Sequence, residues 1–414
     1  MKNFVDYKWE KYFFAIIPLL IIPISGISID IYVPSLPAVK QYFSTSQSMV
    51  QLTITTYMIG FGVMQLLSGS ITDSIGRKKP FVISMLIYIC ATLLVPFSGD
   101  IDQLLFLRFI QGIAVGCFNV SMRTVISDLF TGKEFFKIIN YVTIVWALGP
   151  IIAPGIGGYL QYYFGWYASF YSLAAYALIM FIFSVVFIPE TLKEKKPFQL
   201  IHIVTSYREI LFNLDYLIAL ICLGLLYSLL ILFGVVGPFL IQTMLHSSSI
   251  AFGQIALLMG VAWFLGNTTN RFLIMINHTK KVMFCLWSML VTVMMMLLLA
   301  VSLEINIYNV IIPLFIILYF GGVAFPIFFA QAIAQFPKSS GTANALIGAF
   351  MVLIAGCSSG FGTLLKSNTQ IPFTITFMSI IAVCLFLFYL LKKKKCIYSP
   401  QLQNIGEKID LSLD

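Results

Sequence analysis

Long apolar runs separated by short polar breaks recur along nearly the whole chain, at about residues 12–33, 50–71, 80–98, 103–126, 138–161, 168–188, 216–240, 251–272, 282–302, 308–330, 341–364 and 372–391. A hydrocarbon core about 30 Å thick is crossed by about 20 helical residues, so the pattern predicts twelve transmembrane helices. The breaks include Ser98-Gly99-Asp100, Lys193-Glu194-Lys195-Lys196 and Asn277-His278-Thr279-Lys280-Lys281. The expected fold class is an all-α integral membrane protein.

Composition agrees. The chain is 60% hydrophobic and 10% charged, with a mean hydropathy of +0.96, whereas soluble domains are about 25% charged. Twelve spans put both termini on one side. Lys2, Lys8, Lys11, Arg77, Lys78, Lys79, Lys133, Lys137, Lys193, Lys195, Lys196, Arg208, Arg271, Lys280, Lys281, Lys338 and Lys392 to Lys395 fall in or beside even-numbered loops or the tails. The odd-numbered loops carry only Lys40 and Lys366. This bias makes the termini cytoplasmic and accounts for the net charge of +9 without nucleic-acid binding. The first span lacks a small-residue cleavage site and is expected to stay uncleaved. None of the seven cysteines falls in an outward loop or a Cys-x-x-Cys pair, and the three histidines are scattered. We therefore expect no disulfide framework, metal or other cofactor.

The longest polar interval divides the chain into a six-helix bundle at 1–190, a cytoplasmic linker at 191–215, a second six-helix bundle at 216–391 and a cytoplasmic tail at 392–414. Landmarks repeat at an offset near two hundred residues. Gly69, Asp73 and Arg77 answer to Gly266, Asn270 and Arg271; Gly157 and Gly158 answer to Gly360 and Gly362; Pro37 answers to Pro238. Such an offset is expected of duplicated bundles that rock about a central site.

Two charges fall at depth. Asp30 lies about 27 Å along the first span at 1.5 Å per residue, and Arg108 lies just inside the opposite-running fourth span, so they come to similar depth. Each is costly alone in a low-dielectric bundle, and together they compensate. An intramembrane carboxylate marks a transport or proton pathway by default. In the expected cycle, protonation of Asp30 frees Arg108, and a change of solvation then releases the proton on the other side. The competing readings are a static salt bridge and an Asp30 that reaches the outer interface. Arg123, further along span four, reads as a snorkelling anchor.

Three motifs carry a resemblance. Gly69-Ser70-Ile71-Thr72-Asp73-Ser74-Ile75-Gly76-Arg77-Lys78-Lys79 resembles the signature loop of the major facilitator superfamily, with Ser74 in place of the usual basic residue. Leu104 to Gly116 is similar to that family's fourth-helix motif, with Arg108 and Gln111 intact. Gly149, Pro150, Ala153, Pro154, Gly157 and Gly158 resemble the fifth-helix motif found chiefly in exporters that exchange substrate for protons, with Ala153 replacing a glycine. With Asp30-Ile31-Tyr32-Val33-Pro34-Ser35-Leu36-Pro37 and Pro189-Glu190-Thr191-Leu192, the chain is similar to the twelve-helix drug:proton antiporter branch of bicyclomycin-resistance type.

The resemblance implies a monomeric antiporter in the bacterial inner membrane, driven by the proton gradient. It also implies a conformational lock at the cytoplasmic helix ends, formed by Gly69, Asp73, Gly76 and Arg77 with Asp128 as a further member. Candidates for the central cavity are Tyr57, Gln65, Asn119, Tyr141, Trp146, Tyr227, Gln242, Trp263, Asn267, Gln331 and Asn344. An apolar wall with few polar groups suits an amphipathic small molecule. The expected function is proton-coupled efflux of such molecules, and the alternative is a dedicated carrier of one native metabolite, such as a siderophore or amino-acid derivative. An enzyme is disfavoured because no nucleophile has an adjacent base and no metal ligands cluster. A channel is disfavoured because repeated halves with locking charges suit alternating access.

Overall fold

The computed structural model describes residues 8–192, 194–195, 197–198, 200–273, 275–303, 305–363 and 369–393. The expected cytoplasmic tail from Lys394 onward, and Lys366, lie outside them. No strand occurs among the described residues. The helices are α1 (Lys8–Ile21), α2 (Ile24–Asp30), α3 (Leu36–Tyr42), α4 (Gln47–Ile75), α5 (Lys78–Leu94), α6 (Ile101–Leu129), α7 (Gly132–Phe164) and α8 (Tyr167–Phe187). They continue as α9 (Leu200–Leu211), α10 (Leu214–Pro238), α11 (Ser249–Phe272), α12 (His278–Ser302), α13 (Ile307–Ala334), α14 (Ser340–Thr363) and α15 (Ile371–Lys393).

The polar breaks of the sequence supply the caps of these helices. Ser46, Asp100, Asn213, Ser248, Asn277 and Asn306 each accept a backbone N–H from the first turn of the helix that follows, an interaction worth about 1 kcal/mol. Gly76 (φ +116°) and Gly165 (φ +88°) end α4 and α7 in the left-handed region, where a side chain would be strained.

Eleven helices among the described residues are long and apolar enough to cross a membrane. The expected fifth span is covered by α7, a 33-residue helix that is not one of the eleven and several of whose side chains lie outside the described residues. The first span is also longer than expected. It runs to Tyr42 and is interrupted twice, at Ile22-Pro23 and around Val33–Ser35. Proline explains both breaks, since Pro23 and Pro34 lack the N–H that a continuing helix would use. Asp30 therefore lies near the middle of the span Phe14–Tyr42 and not at its end.

Glycine sets how closely the helices cross. On α4 and α6, a Cβ at Gly112 would strike the carbonyl oxygen of Tyr57, one at Gly116 that of Phe61, and one at Gly60 that of Phe109. On α11 and α13, Gly266 meets the carbonyl oxygen of Tyr319 and Gly322 that of Trp263 in the same way. Gly60 and Gly266 are 206 residues apart, as are Tyr57 and Trp263, the carbonyl partners of Gly112 and Gly322, so the crossings match Gly266 with Gly60 and not with Gly69 as expected. Small residues let backbones approach where no hydrophobic drive separates helix from lipid.

Hydrogen bonds between the first-half helices α1–α8 and the second-half helices α10–α15 cluster away from the Lys/Arg-rich end. Ser48 Oγ donates to Thr363 O (2.6 Å), Gln51 Nε2 to Val235 O (3.1 Å), Gln242 Nε2 to Pro34 O (2.9 Å) and Ser249 Oγ to Gly158 O (3.0 Å). At the basic end, a Cβ at Gly69 or Gly341 would meet nothing within 4 Å. Gly112→Ala is expected to lower stability by about 1–3 kcal/mol through overpacking, and Gly69→Ala to stay within about 0.5 kcal/mol of the native chain. Thermal unfolding of the purified protein in detergent checks the contrast, and equal losses at the two positions would contradict it.

Candidate functional site

Asp30 closes α2, and its half-buried carboxylate lines a narrow cavity of about 30 Å³. The walls come from four directions: Val33 beside it, Pro150 and Pro154 of α7, Tyr227 and Phe233 of α10, and Phe252 and Met259 of α11. Among the described residues, no polar side chain but the Tyr227 phenol shares that lining with the carboxylate. The acid thus stands where helices of the first and second halves of the chain meet.

Arg108 does not pair with it. The guanidinium is fully buried on α6 and directed into the first half. It donates to Ser28 O through Nη1 and Nη2 (both 3.3 Å), to Thr53 O through Nε (3.4 Å) and to Gln111 Oε1 (3.0 Å). Gln111 in turn donates to Thr92 Oγ1 at 2.8 Å. The rings of Tyr57, Tyr32 and Phe170 surround the cation, with centroids 4.5, 5.2 and 5.9 Å away, each a contact of about 0.5–2 kcal/mol. The expected ion pair is therefore corrected. Helical rise speaks only to depth, and residues two apart on a helix point about 200° apart. The Ser28 hydroxyl meets Tyr88 of α5, while Asp30 faces α10 and α11. Where α2 gives way to a tighter turn, Tyr32 N bonds Ile29 O, and Ser28 O takes the guanidinium. Among the described residues, no ion pair or hydrogen bond engages the Asp30 carboxylate.

Helix α7 connects the cavity to both halves. Gly149, Ala153 and Gly157, spaced four apart, face α2 and the turn after it. A Cβ on Gly157 would strike Ile31 O, one on Gly149 would lie 3.7 Å from Ile27 Cγ1, and Ala153 packs with Ile31 and Leu173. Pro154 and Gly158 face α11, where Gly253 sits against Pro154 O and Gly158 against Ser249 O. Pro150 and Pro154 also form one wall of the Asp30 cavity.

At the basic end, Arg77 joins the carboxylates of Asp73 and Asp128 (3.0 Å from Nε to the latter). Thr191 Oγ1 donates to the same Asp128 oxygen at 2.8 Å. Glu190, quoted from sequence only as part of a resemblance, accepts the backbone N–H groups of Arg77 (2.8 Å) and Lys78 (3.1 Å). It sits where a Cβ on Gly76 would clash with its carboxylate, so this glycine is required by both its φ and its neighbour. Burial pushes the Glu190 carboxyl up, and the N–H groups of Arg77, Leu192, Lys78 and Thr191 outweigh it, leaving it below its ordinary value.

The remaining candidates divide. Tyr227 lines the Asp30 cavity. Tyr57 is fully buried and donates to Ser25 O (2.8 Å), so it walls Arg108 and not an open cavity, a second correction. Asn119 is equally buried, and its Nδ2 holds Ile22 O at the first helix break (2.9 Å). Trp263 is half-buried against Phe325, while Tyr141 and Asn344 are exposed. The Trp146 side chain lies outside the described residues. Arg123 is half-buried, and its Nε is enclosed without a hydrogen-bond partner among them, unlike a snorkelling anchor.

An all-helical, multi-pass chain with a carboxylate in its interhelical seam belongs among the membrane transporters. The pattern of the Major Facilitator Superfamily matches residues 19–354, and the chain belongs to that family. It is 25% identical to the Bicyclomycin resistance protein homolog of Haemophilus influenzae over 383 residues, 88% of this chain and 92% of that one. It is 31% identical to the uncharacterized MFS-type transporter YdgK of Bacillus subtilis over 172 residues, 41% of this chain and only 43% of YdgK. The fold is that of a bacterial homolog of the human lysosomal transporter Spinster, solved in an inward-facing and occupied conformation, with TM-score 0.76, 13% identity and coverage of 95% and 100%. Membership of that family points to a transporter rather than an enzyme.

A carboxyl held below its ordinary value stabilises the fold above that value and loses its contribution as pH falls through the lowered one. Glu190→Gln is thus expected to unfold at a lower temperature than the native chain near pH 7, with the gap closing below about pH 4. Melting curves across that range check it, and a gap that persists unchanged in acid would contradict it.

Proposed function

We propose that the protein exports amphipathic small molecules from the bacterial cytoplasm in exchange for protons, by alternating access between bundles 1–190 and 216–391. The carrying observation is the Asp30 carboxylate, unpaired among the described residues and set in the seam between the two halves. A carboxyl group moved between an apolar cavity and water binds a proton in one setting and gives it up in the other. Asp30 is the proton carrier in this reading. Arg108 fixes the break after α2 and supplies positive potential without trapping the acid in a salt bridge.

The matching glycine crossings of α4 with α6 and of α11 with α13 support two repeated bundles. The distribution of inter-half hydrogen bonds supports a state closed at the non-basic end. The positive-inside bias makes the basic end cytoplasmic, so this state opens inward. Open space around Gly69 then supports a second state in which the cytoplasmic ends approach, with Arg77, Asp73, Asp128 and Glu190 bracing the α4–α5 turn against that contact. The apolar wall of Phe233, Phe252 and Met259 favours hydrophobic cargo. The similarity to a bicyclomycin resistance protein homolog favours antibiotic-like compounds.

The test is uptake of a panel of lipophilic fluorescent compounds into everted membrane vesicles under an imposed pH gradient. The native protein is expected to accumulate several of them, and an uncoupler or Asp30→Asn to abolish accumulation while leaving folding intact. Uphill transport by Asp30→Asn would remove Asp30 from the proton path. Accumulation of a single compound would narrow the function to a dedicated metabolite carrier.

A further inference from the structure

A second cavity, separate from the Asp30 seam, lies at the basic end of the second half. Its volume is about 480 Å³, within the range of about 300–1,000 Å³ usual for ligand pockets. Helices α11 and α12 both pack on α13, drawn in on one side by Gly266 and Gly322 and on the other by the edge-on rings of Phe284 and Phe320 (5.7 Å between centroids). The cleft between them is lined by Leu273, Phe284, Tyr319 and Phe320, and by Lys280 and Lys281.

Lys281 is the unusual member. Only 4% of it is exposed, and its ammonium donates to Asn270 Oδ1 at 3.0 Å. No carboxylate pairs with it among the described residues. The basic end of the first half is built differently. There Arg77 joins two carboxylates, Asp73 and Asp128, whereas Lys281 is met by the neutral Asn270 at the end of α11. A largely buried cation with only an amide oxygen is undercompensated, and an anion is the complement it lacks.

We propose that this cleft binds an anionic phospholipid, with its phosphate at Lys280 and Lys281 and an acyl chain along Phe284 and Phe320. The two requirements of such a ligand occur together here: two lysines and an apolar lining, on a face where Phe284 is 65% exposed. Basic pockets between transmembrane helices at the cytoplasmic side recognise such headgroups through charge. The site stands apart from Asp30 and does not depend on what is transported.

Purified full-length protein in mild detergent is titrated with phosphatidylglycerol, with phosphatidylcholine of the same chain length and with inorganic phosphate, following the thermal midpoint and the lipid retained by native mass spectrometry. Phosphatidylglycerol alone is expected to raise the midpoint and to be retained. Lysine near an anionic lipid contributes enough that Lys281→Gln is expected to raise the half-maximal lipid concentration by roughly fivefold, with Lys281→Arg restoring it. Exposed Lys280→Gln and Phe284→Ala weaken the response in the same direction and guard against a misfolded Lys281 variant. An equal response to phosphatidylcholine, or to phosphate alone, would overturn the proposal, as would unchanged lipid dependence in all three weakened variants.

Discussion

The arrangement at the centre of this protein depends on how a buried guanidinium is satisfied. Among the described residues, Arg108 has no carboxylate partner. It is held by the Ser28 and Thr53 carbonyls, by Gln111 and by three aromatic faces. Fixed dipoles and ring quadrupoles compensate its charge where an ion pair would otherwise be needed. One consequence is that Ser28 O is occupied where α2 changes to a tighter turn. The other is that Asp30 stays available to groups on the opposite side of its helix. A salt bridge between the two would have joined the acid to the first half of the chain.

Backbone proximity then makes the seam. Helix α7 presents one line of small residues to α2 and another to α11, so a single element contacts the segment bearing Asp30 and the wall opposite it. Its two prolines face the cavity itself. The exporter-like motif therefore has a local physical meaning here. Gly157 and Gly158 permit backbone contact on adjacent faces, and Pro150 and Pro154 help shape the space around the carboxylate. Ala153, the departure from the motif, fits because its methyl group packs with Ile31 and Leu173.

Much of the helical architecture was legible from one-dimensional signals. Apolar run length located eleven helices that are long and apolar enough to cross a membrane among the described residues, and polar breaks such as Asp100 and Asn277 marked caps. Helical rise placed Asp30 and Arg108 at comparable depth. Rotation about the helix axis was not legible, and it separated those two groups. Tyr57 and Asn119 were misread for the same reason: nothing in their spacing shows that one would wall a cation and the other hold a broken carbonyl. The length of the first span was underestimated because prolines interrupt its hydrogen bonding without ending the crossing. Glu190 was visible as a residue, but its capture of two backbone donors 112 and 113 positions away is a tertiary fact.

Infrared difference spectroscopy of the purified protein during a pH titration examines the acid most directly. A protonated-carboxyl band that fades as pH rises in the native chain and is missing from Asp30→Asn is the expected result. Native and Asp30→Asn difference spectra that coincide at every pH would mean that this group does not change its protonation state, and the account built on it would fail.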